Sequence, residues 1–351
     1  MRLMPAILSM TLFFCAGCTT TQGTPARPIL TVDVPAWRET DTVQTLEDAA
    51  DDPAIWRNAG NPAKSLIVAT DKKLGLGVYG LDGKRRSMLP AGLVNNVDLR
   101  SGVIVAGKRA ILVGASDRTI KGDGRLALLT LDPRTATLTP LVRVPITEMN
   151  EPYGFCLYRG RAGLFGFVVG KDGLILQLKI DVAGLTPTAT IVRRMKLATQ
   201  SEGCVADDRT GLLYVNEEDA GLWRFDAAPT APTTPVKLAN ADGERLVADA
   251  EGVAIAAEGR RGGYLIASSQ GDSAYTVWRL PDHAYLGRFR IVPNGAIGGT
   301  SETDGIEVSA ASFGRGLEGG IMIAQDGDNT PNAQNFKLVR WADVKRALRL
   351  R

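Results

Sequence analysis

The chain has 351 residues, enough for one large domain or two ordinary ones. Lysine and arginine total 41 against 38 aspartates and glutamates, so the chain lacks the basic excess of a nucleic-acid-binding protein. Its 39 glycines and dispersed aromatic residues are typical of a soluble protein with many turns. We therefore expect no nucleic-acid partner.

The first segment, "MRLMPAILSMTLFFCAGC", has one arginine, an apolar run and small residues before Cys18. This order is typical of an export signal and is too short for a membrane span. The letters "AGC" resemble a bacterial lipobox, although Cys15 stands where leucine is usual. We predict a lipoprotein-type signal over residues 1–17, a tether over 18–36 and a lipid anchor at Cys18 as the only membrane contact.

The destination of the exported chain follows from the residue after the anchor. Because Thr19 rather than aspartate follows Cys18, we expect sorting to the outer membrane of a Gram-negative cell. The alternative is a plain export signal with a chance cysteine, which predicts a periplasmic or secreted protein.

Short apolar segments follow one another through the rest of the chain. They include "SLIVAT", "GLGVYG", "AILVGAS", "LFGFVVG", "LLYVNEE", "GYLIASS" and "GIMIAQD". Most are rich in β-branched or aromatic residues and are bounded by Gly, Asp or Pro, which indicates strands. Helical periodicity is found only in the final "WADVKRALRLR". We predict an all-β chain with a single domain over residues 37–351.

One unit recurs along this domain. Its marker is a glycine after an acidic or phenolic residue, found at Tyr153-Gly154, Glu202-Gly203, Glu251-Gly252 and Asp304-Gly305. The glycines lie at intervals of 49, 49 and 53 residues, and weaker copies begin "DDPAIW" at Asp51 and "NNVDLR" at Asn95. Six units with several strands each predict a six-bladed β-propeller. The alternative, a large β-sandwich, would not repeat a motif at fixed spacing.

Propeller geometry predicts where the marker residues meet. Equivalent positions of successive blades surround one central channel, so the residues before the repeated glycines should share one place. These residues are Tyr153, Glu202, Glu251 and Asp304, with Asp51 and Asp52 at the comparable place of the first unit. A ring of carboxylates offers the hard oxygen ligands that Ca²⁺ prefers. The alternative is a simple turn preference of acidic residues before glycine.

Cations form a second set. Lys72 and Lys73 follow "VATD", Arg118 follows "GASD", and Lys171 follows "FVVG", each at the end of a predicted strand. Cations beside an acidic metal ring suit a polyanionic substrate, especially phosphate, although each one alone could be a solvated loop residue. His283 is the only histidine and no nucleophile motif accompanies it. A hydrolase of this sequence would therefore depend on bound metal.

The chain resembles the β-propeller phytases, the calcium-dependent alkaline phytases of bacteria. The resemblance covers nearly the whole mature chain in ordered blocks. The matching blocks are "DAADDPAIW", "DKKLGLGVYGLDGK", "LVNNVDLR", "NEPYGFCLY", "VVGKDG", "SEGCVADD", "LYVNEEDAGLW", "DAEGVAI", "YLIASSQGDSAY", "GTSETDGIEV" and "IAQDGDN…QNFKLVRW". One departure is Gly298 in "NGAIGGTSETDG", where the family tends to carry an acidic calcium ligand.

The resemblance implies a 3-phytase-type phosphoric monoester hydrolase that converts phytate, as its calcium complex, to lower inositol phosphates. It implies several calcium ions near Tyr153, held by acids that match Asp52, Glu202, Glu218, Glu251 and Asp304. Further acids around that mouth match Glu39, Asp48, Asp51, Asp98 and Asp249. The family's phosphate-binding cations match Lys72, Lys73, Arg118 and Lys171.

The expected reaction is attack of a calcium-activated water on phosphorus. The expected catalytic set is Lys72, Arg118, Tyr153, Lys171 and Glu202, of which the cations stabilise the phosphate oxygens. Two alternatives are a calcium-dependent lactonase propeller and a non-catalytic ligand-binding lipoprotein, and neither needs the cation set. We expect a monomer.

The two cysteines of the mature domain, Cys156 and Cys204, leave two possibilities open. An exported protein meets an oxidising compartment in which they could pair. They could equally remain two separate buried thiols, since sequence spacing does not show proximity.

Overall fold

The fold was analysed in a computed structural model, which describes residues 30–351. The predicted signal over residues 1–17 and the Cys18 anchor lie outside the described residues. Within the described part, no helix has the length and apolar character needed to cross a membrane. This part is built almost entirely of strands, with one α-helix, α1 (Trp341–Ala347), and two single-turn 3₁₀ helices, Pro62–Lys64 and Gln270–Asp272.

The strands form six sheets arranged as the blades of a propeller, which confirms the predicted fold. The chain enters through β1 (Thr31–Pro35) and β2 (Arg38–Glu39). Blade one, from inside to outside, consists of β3 (Ala50–Trp56), β4 (Leu66–Asp71), β5 (Gly75–Gly80) and β6 (Arg85–Pro90). Blade two consists of β7 (Val94–Val105), β8 (Lys108–Asp117), β9 (Arg125–Asp132) and β10 (Thr137–Pro145).

Blades three to five repeat this antiparallel order. Blade three consists of β11 (Pro152–Gly160), β12 (Gly163–Gly170), β13 (Leu174–Asp181) and β14 (Thr188–Lys196). Blade four consists of β15 (Ser201–Asp207), β16 (Leu212–Glu217), β17 (Gly221–Asp226) and β18 (Val236–Asn240). Blade five consists of β19 (Ala250–Glu258), β20 (Gly262–Ser269), β21 (Ala274–Leu280) and β22 (Tyr285–Val292).

The last blade closes the ring with a strand from the start of the domain. Blade six contains β23 (Ile306–Ser309), β24 (Ile321–Asp326) and β25 (Asn335–Arg340), and β2 is its outermost strand. On the channel side, the Gly305 N–H donates a hydrogen bond to the Asp51 carbonyl at 3.1 Å, which joins blade six to blade one. The two ends of the domain are therefore held in one sheet.

The predicted tether over residues 18–36 contributes its last residues to the propeller. Strand β1 runs parallel to β22 at the outer edge of blade five. The buried Val34 and the partly buried Val32 pack against the apolar cluster between blades five and six. Residues Thr31–Pro35 are therefore part of the blade-five sheet, because alternating apolar residues make this stretch a strand.

The repeated glycines lie where neighbouring inner strands approach each other. A Cβ atom on Gly154 would be 1.8 Å from the Glu202 carbonyl oxygen of the next blade, and one on Gly203 would be 2.3 Å from that of Glu251. The pairing register also shifts at this level, as between Ser201 and Cys204 of β15, which marks a bulge. The repeat therefore reflects close contact between blades, not a turn preference.

The apolar cores lie between adjacent blades. One cluster joins blades one and two through residues such as Val68 and Val113, and another joins blades five and six and includes Trp341 of α1. Each buried aliphatic side chain of this kind contributes about 1.5–3 kcal/mol. Both faces of every blade are consequently apolar, and the polar residues of the inner strands are left to the channel.

Cys156 of β11 and Cys204 of β15 form a disulfide, with their Cα atoms 5.8 Å apart. The sequence left this pairing open, because 48 residues separate the two positions. The propeller brings them together because each lies on an inner strand close to its repeated glycine, Cys156 two residues past Gly154 and Cys204 one residue past Gly203. The bond links blades three and four directly behind Tyr153 and Glu202.

Substitution of Gly154 tests the close approach of inner strands. Gly154→Ala should lower the free energy of unfolding by about 2 kcal/mol or more, because the carbonyl that its Cβ would meet cannot move away freely. Gly184→Ala is the matched control, since an added Cβ there meets nothing within 4 Å. Equal melting temperatures for the two variants would contradict this explanation of the repeat.

Candidate functional site

Six equivalent inner-strand positions surround one mouth of the channel. We call them the ring residues, and they are Asp51, Asn95, Tyr153, Glu202, Glu251 and Asp304. Each lies at or next to the bulge of its strand or, in blade six, just before the strand begins. The structure thus brings together the marker residues of the repeat. Asp51 rather than Asp52 takes the place of blade one.

A second set of equivalent positions borders the same mouth. We call these the rim residues, and they directly follow the second strand of each blade: Lys72, Arg118, Lys171, Glu218, Gln270 and Gly327. In blades one to five the rim N–H donates to the carbonyl oxygen of the residue just before the inner strand, as from Lys72 to Ala49 at 2.7 Å, and in blade six the Gly327 N–H donates to the Ser301 carbonyl oxygen at 2.7 Å. Blades one to three therefore present cations, and blades four and five present a carboxylate and an amide.

Three buried glutamates form the acidic half of the mouth. Carboxylate oxygens of Glu202, Glu218 and Glu251 lie within 4.8 Å of one another. Three buried oxygens here, Asp51 Oδ1, Glu218 Oε1 and Glu251 Oε2, accept no hydrogen bond from the protein. Buried carboxylates normally have partners, and like charges at this distance repel. The arrangement is that of a site for a cation with hard oxygen ligands, such as Ca²⁺.

The electrostatics of this cluster follow from burial. Burial raises the pKa of Glu202, and the charges of Asp51 and Glu251 raise it further. The pKa of Glu251 is raised in the same way, by burial and then by Asp304 and Glu218. Burial raises the pKa of Glu218 to about 7. In the absence of a cation, Glu218 would thus be partly protonated near neutral pH.

Lys72 is the main counter-charge within the ring. Its Nζ lies 2.8 Å from Asp48, 3.0 Å from Asp304 and 3.3 Å from Asp51. Gln270 Nε2 donates to the other oxygen of Asp304 at 2.7 Å. One ammonium faces three carboxylates, so negative charge remains, and burial together with Asp51 raises the pKa of Asp304 to about 7.

Arg118 and Lys171 form the cationic half of the mouth around Tyr153. The Arg118 guanidinium lies 5.3 Å from the centre of the Tyr153 ring, and Lys171 Nζ lies 5.2 Å from it. Both cations contact the Glu151 carboxylate, Arg118 at 3.5 Å and Lys171 at 3.9 Å, and neither side chain is buried. These contacts are long and weak, so both cations remain available to an anionic ligand.

Two open cavities meet at this mouth. One, of about 890 Å³, is lined by acidic and amide residues that include Glu218, Asp249, Glu251 and Asp304. The other, of about 710 Å³, is lined by cations and their neighbours, which include Lys72, Lys73, Arg118 and Lys121. Lys73 also contacts Glu47 at 3.3 Å. The mouth therefore places an acidic cavity beside a cationic one.

Three of the acids expected at the mouth lie elsewhere. Asp52 is one level deeper in the channel, where its Oδ2 accepts the Val97 N–H at 2.9 Å. Asp98 lines the other end of the channel and is paired with Arg100 at 2.9 Å. Glu39 lies on the outer strand of blade six and is paired with Lys337 at 2.8 Å. Asp48, Asp51 and Asp249 do lie at the mouth.

Sequence reasoning missed three polar residues of the site. Asn95 donates to Glu202 Oε1 at 2.8 Å, and its place in the weak second copy of the repeat was a usable signal. Gln270 directly follows the second strand of its blade, as Lys72, Arg118 and Lys171 do in theirs. Because it carries no charge, the pattern of cations in the sequence did not include it. No pattern marks Glu151, because its contact with Arg118 depends on the distance between two blades.

Two comparisons with known proteins point to the same family. The family model described as Phytase matches residues 3–350. A 3-phytase of Bacillus subtilis (strain 168) is 39% identical over 326 residues, which cover 90% of this chain and 85% of that protein. A chain of the solved mitotic checkpoint complex superimposes with a TM-score of 0.49 and 13% identity, covering 95% of this chain and 98% of its own.

The raised pKa of Glu218 predicts a pH-dependent stability of the metal-free protein. Between the ordinary glutamate pKa and about 7, the folded state binds more protons than the unfolded state, so stability falls as pH rises. Glu218→Gln removes this penalty. In EDTA, its melting temperature should match that of the wild type near pH 5 and exceed it near pH 8. A difference that stays constant or shrinks as pH rises would contradict the assignment.

Proposed function

This chain belongs to the phytase family, and we propose that it is a 3-phytase-type phosphoric monoester hydrolase that releases phosphate from phytate with the help of bound calcium ions. The family match and the 3-phytase relative support the substrate and the reaction. The observation that carries the metal part is the set of buried carboxylate oxygens at the mouth that have no partner in the protein.

We assign the metal ligands from the acidic half of the mouth. Glu202, Glu218 and Glu251 would hold calcium at the centre of the cluster, and Asp51, Asp249 and Asp304 border it. Asp52 remains a proposed ligand at the deeper level of the channel. When bound at the glutamate cluster, calcium would act as a Lewis acid and would lower the pKa of a bound water.

The chain's own cations bind and orient the substrate. Arg118 and Lys171 are only weakly held by Glu151, so they are free to contact phosphate oxygens. Lys72 is fixed between Asp51 and Asp304 and lies at the boundary between the two halves. Such preorganised cations stabilise the charge that develops on the equatorial oxygens during phosphoryl transfer. Phytate carries several phosphates, so one can occupy the cation cavity while another lies at the acidic half.

The proposed role of Tyr153 follows from the groups around its hydroxyl. The negative charge of Glu202, and then burial, raises the pKa of its hydroxyl. The hydroxyl therefore stays protonated and can donate a hydrogen bond to a substrate oxygen or to water. Glu202 lies beside it and completes the proposed catalytic set.

The cation set also discriminates between the candidate activities. A lactonase propeller and a ligand-binding propeller would have no use for three cations at equivalent blade positions beside an acidic cluster. The arrangement of Lys72, Arg118 and Lys171 therefore favours a phosphate ester as substrate.

We further propose that the chain is exported as a monomer and anchored by lipid at Cys18. The support is the apolar leader that ends in "AGC". Cys18→Ser should move the protein from the membrane fraction to the soluble fraction of the cell envelope. Unchanged membrane association of that variant would rule the anchor out.

Removal of Glu251 tests the metal assignment. Glu251→Ala should lower phytate hydrolysis about 100-fold or more and weaken calcium binding in calorimetric titration. Its melting temperature in EDTA should not fall, because the change relieves repulsion among buried carboxylates. Glu258→Ala, on the same strand, is the control, since Glu258 only pairs with Lys345 at the surface. Unchanged calcium binding by Glu251→Ala would refute the assignment.

Removal of Arg118 tests the anion site separately from the metal site. Arg118→Ala should lower kcat/KM for phytate about 100-fold and leave calcium affinity nearly unchanged, because Arg118 contacts no carboxylate of the glutamate cluster. Arg134→Ala is the control, because the Arg134 side chain is 86% exposed and lies in the turn between β9 and β10. Equal kcat/KM values for Arg118→Ala and Arg134→Ala would show that Arg118 does not belong to the site.

A further inference from the structure

The two ends of the propeller carry opposite charge. Every inner strand runs away from the mouth, so the segments that follow the first and third strands of each blade lie at the opposite end, which we call the far face. In blade six the segment after the third strand is residues 341–351. Within the described part of the chain, the far-face segments carry 13 lysines and arginines against 5 acidic residues, whereas the loops of the mouth, with residues 40–49, carry 6 against 16.

The chain enters the described part at the far face. Strand β1 runs parallel to β22, the fourth strand of blade five, which rises from the far face toward the mouth. Leu30 therefore lies at the far face, and it is 83% exposed. Twelve residues separate it from Cys18. Since a chain extends by at most about 3.6 Å per residue, a lipid at Cys18 would hold this face within about 45 Å of a bilayer.

Four exposed arginines lie at the part of the far face where the chain enters. We call them the entry arginines, and they are Arg260 and Arg261 in the turn between β19 and β20 and Arg349 and Arg351 after α1. The C-terminal segment lies beside β1, because Leu350 and Val32 pack against the same apolar cluster. Tyr264, at the start of β20, donates a hydrogen bond to the Arg351 carbonyl, which places both pairs of arginines on one side of the face.

The entry arginines are free of acidic partners. The acids nearest to them in the sequence are paired with other cations, Glu258 with Lys345 at 2.8 Å and Asp343 with Arg346 at 2.7 Å. No side chain of residues 30–351 forms an ion pair with any of the four. Their charge is therefore available to an anionic partner.

Apolar side chains project from another part of the far face. Leu185, in the turn between β13 and β14, is 92% exposed, and Ile104, at the end of β7, is 44% exposed. The two loops are joined by a hydrogen bond from the Ala106 N–H to the Val182 carbonyl at 2.9 Å. The exposed Lys108 begins the next strand. Apolar side chains beside cations are typical of surfaces that enter the interfacial region of a bilayer.

We propose that the far face docks on the surface of an anionic phospholipid bilayer, with the mouth directed away from it. Lysine and arginine are attracted to the negative potential of such a surface, and Leu185 and Ile104 enter the headgroup layer. A single lipid chain gives only weak, reversible membrane binding, and a basic surface supplies a second signal. A nucleic acid would match the charge of this face but would leave its apolar side chains without a partner.

This orientation keeps the mouth outside the electric field of the membrane. An inner strand such as β3 has seven residues and spans about 20 Å. The Debye length at physiological ionic strength is about 8 Å, so the surface potential is largely screened at the mouth. A polyanion such as phytate, which anionic lipids repel, can therefore reach the site.

Vesicle sedimentation tests the docking without the anchor. Residues 19–351 contain every described strand and carry no lipid. In EDTA, so that no calcium can bridge the mouth to lipid, this purified chain should partition about tenfold or more better onto vesicles of phosphatidylglycerol and phosphatidylcholine than onto phosphatidylcholine alone. High salt should abolish the difference. Equal binding to the two kinds of vesicle would overturn the proposal.

Two double variants of equal net charge show which face binds. Arg260→Ala with Arg261→Ala should lower partitioning onto the anionic vesicles about tenfold. Arg194→Ala with Lys196→Ala is the matched control, because both are exposed cations on the mouth half of β14, and its partitioning should stay within about twofold of the wild type. Equal losses for the two would overturn the proposal. So would binding of duplex DNA without binding of anionic vesicles, which would indicate a nucleic-acid partner.

A fluorescent label reports the orientation of the bound chain. Gly184→Cys places an environment-sensitive dye beside Leu185 at the far face, where a side chain meets nothing within 4 Å. Thr147→Cys places it at the mouth end of the same blade, and Cys156 and Cys204 do not react because they form a disulfide. Anionic vesicles should shift the emission of the first label to the blue and leave the second unchanged. A shift of the second label, or of neither, would overturn the proposal. Hydrolysis is not measured, so failure of the proposed phytase activity would leave these tests intact.

Discussion

Neighbouring inner strands approach so closely that a carbonyl oxygen of one blade lies where a Cβ of the previous blade would be, as between Glu202 and Gly154. Only glycine permits this contact, and the residue before each glycine is thereby turned into the channel. The same contact sets the diameter of the mouth. Carboxylates that are nearly 50 residues apart in the chain are consequently held within a few ångströms of one another.

That convergence has an electrostatic consequence. Like charges are forced together and buried, which raises their pKa values and leaves several oxygens without a partner. The fold tolerates this because the apolar clusters between the blades stabilise the ring independently of the channel. Stability and function are therefore placed in different parts of each blade. The core residues hold the inner strands in position, and the strands hold a site whose buried carboxylates repel one another.

The division of charge around the mouth gives the site its chemistry. Cations follow the second strands of blades one to three, and the glutamate cluster comes from blades four and five. Tyr153 lies at the boundary, beneath Arg118 and Lys171 and beside Glu202. A polyanion with metal counter-ions is the kind of ligand that satisfies both halves at once.

Repetition made much of this predictable from the sequence. The ring positions and Lys72, Arg118 and Lys171 recur at equivalent points of successive units, so the fold alone brings them together. The remaining features depend on distances between blades or on local backbone geometry. The bulge in β3 decides that Asp51 and not Asp52 lies in the ring. Glu39 contacts Lys337 at the outer edge of blade six, and Cys156 contacts Cys204 across the boundary between blades three and four. No periodicity in the sequence predicts either contact.

The decisive measurement is phosphate release from phytate by the purified mature chain, across a calcium titration and in EDTA at neutral to mildly alkaline pH. A phytase that depends on calcium at the glutamate cluster should release phosphate at a rate that rises with calcium, stops in EDTA and returns when calcium is restored. Calcium-independent release would contradict the role assigned to the glutamate cluster. No release at any calcium concentration from a folded protein would contradict the proposed activity itself.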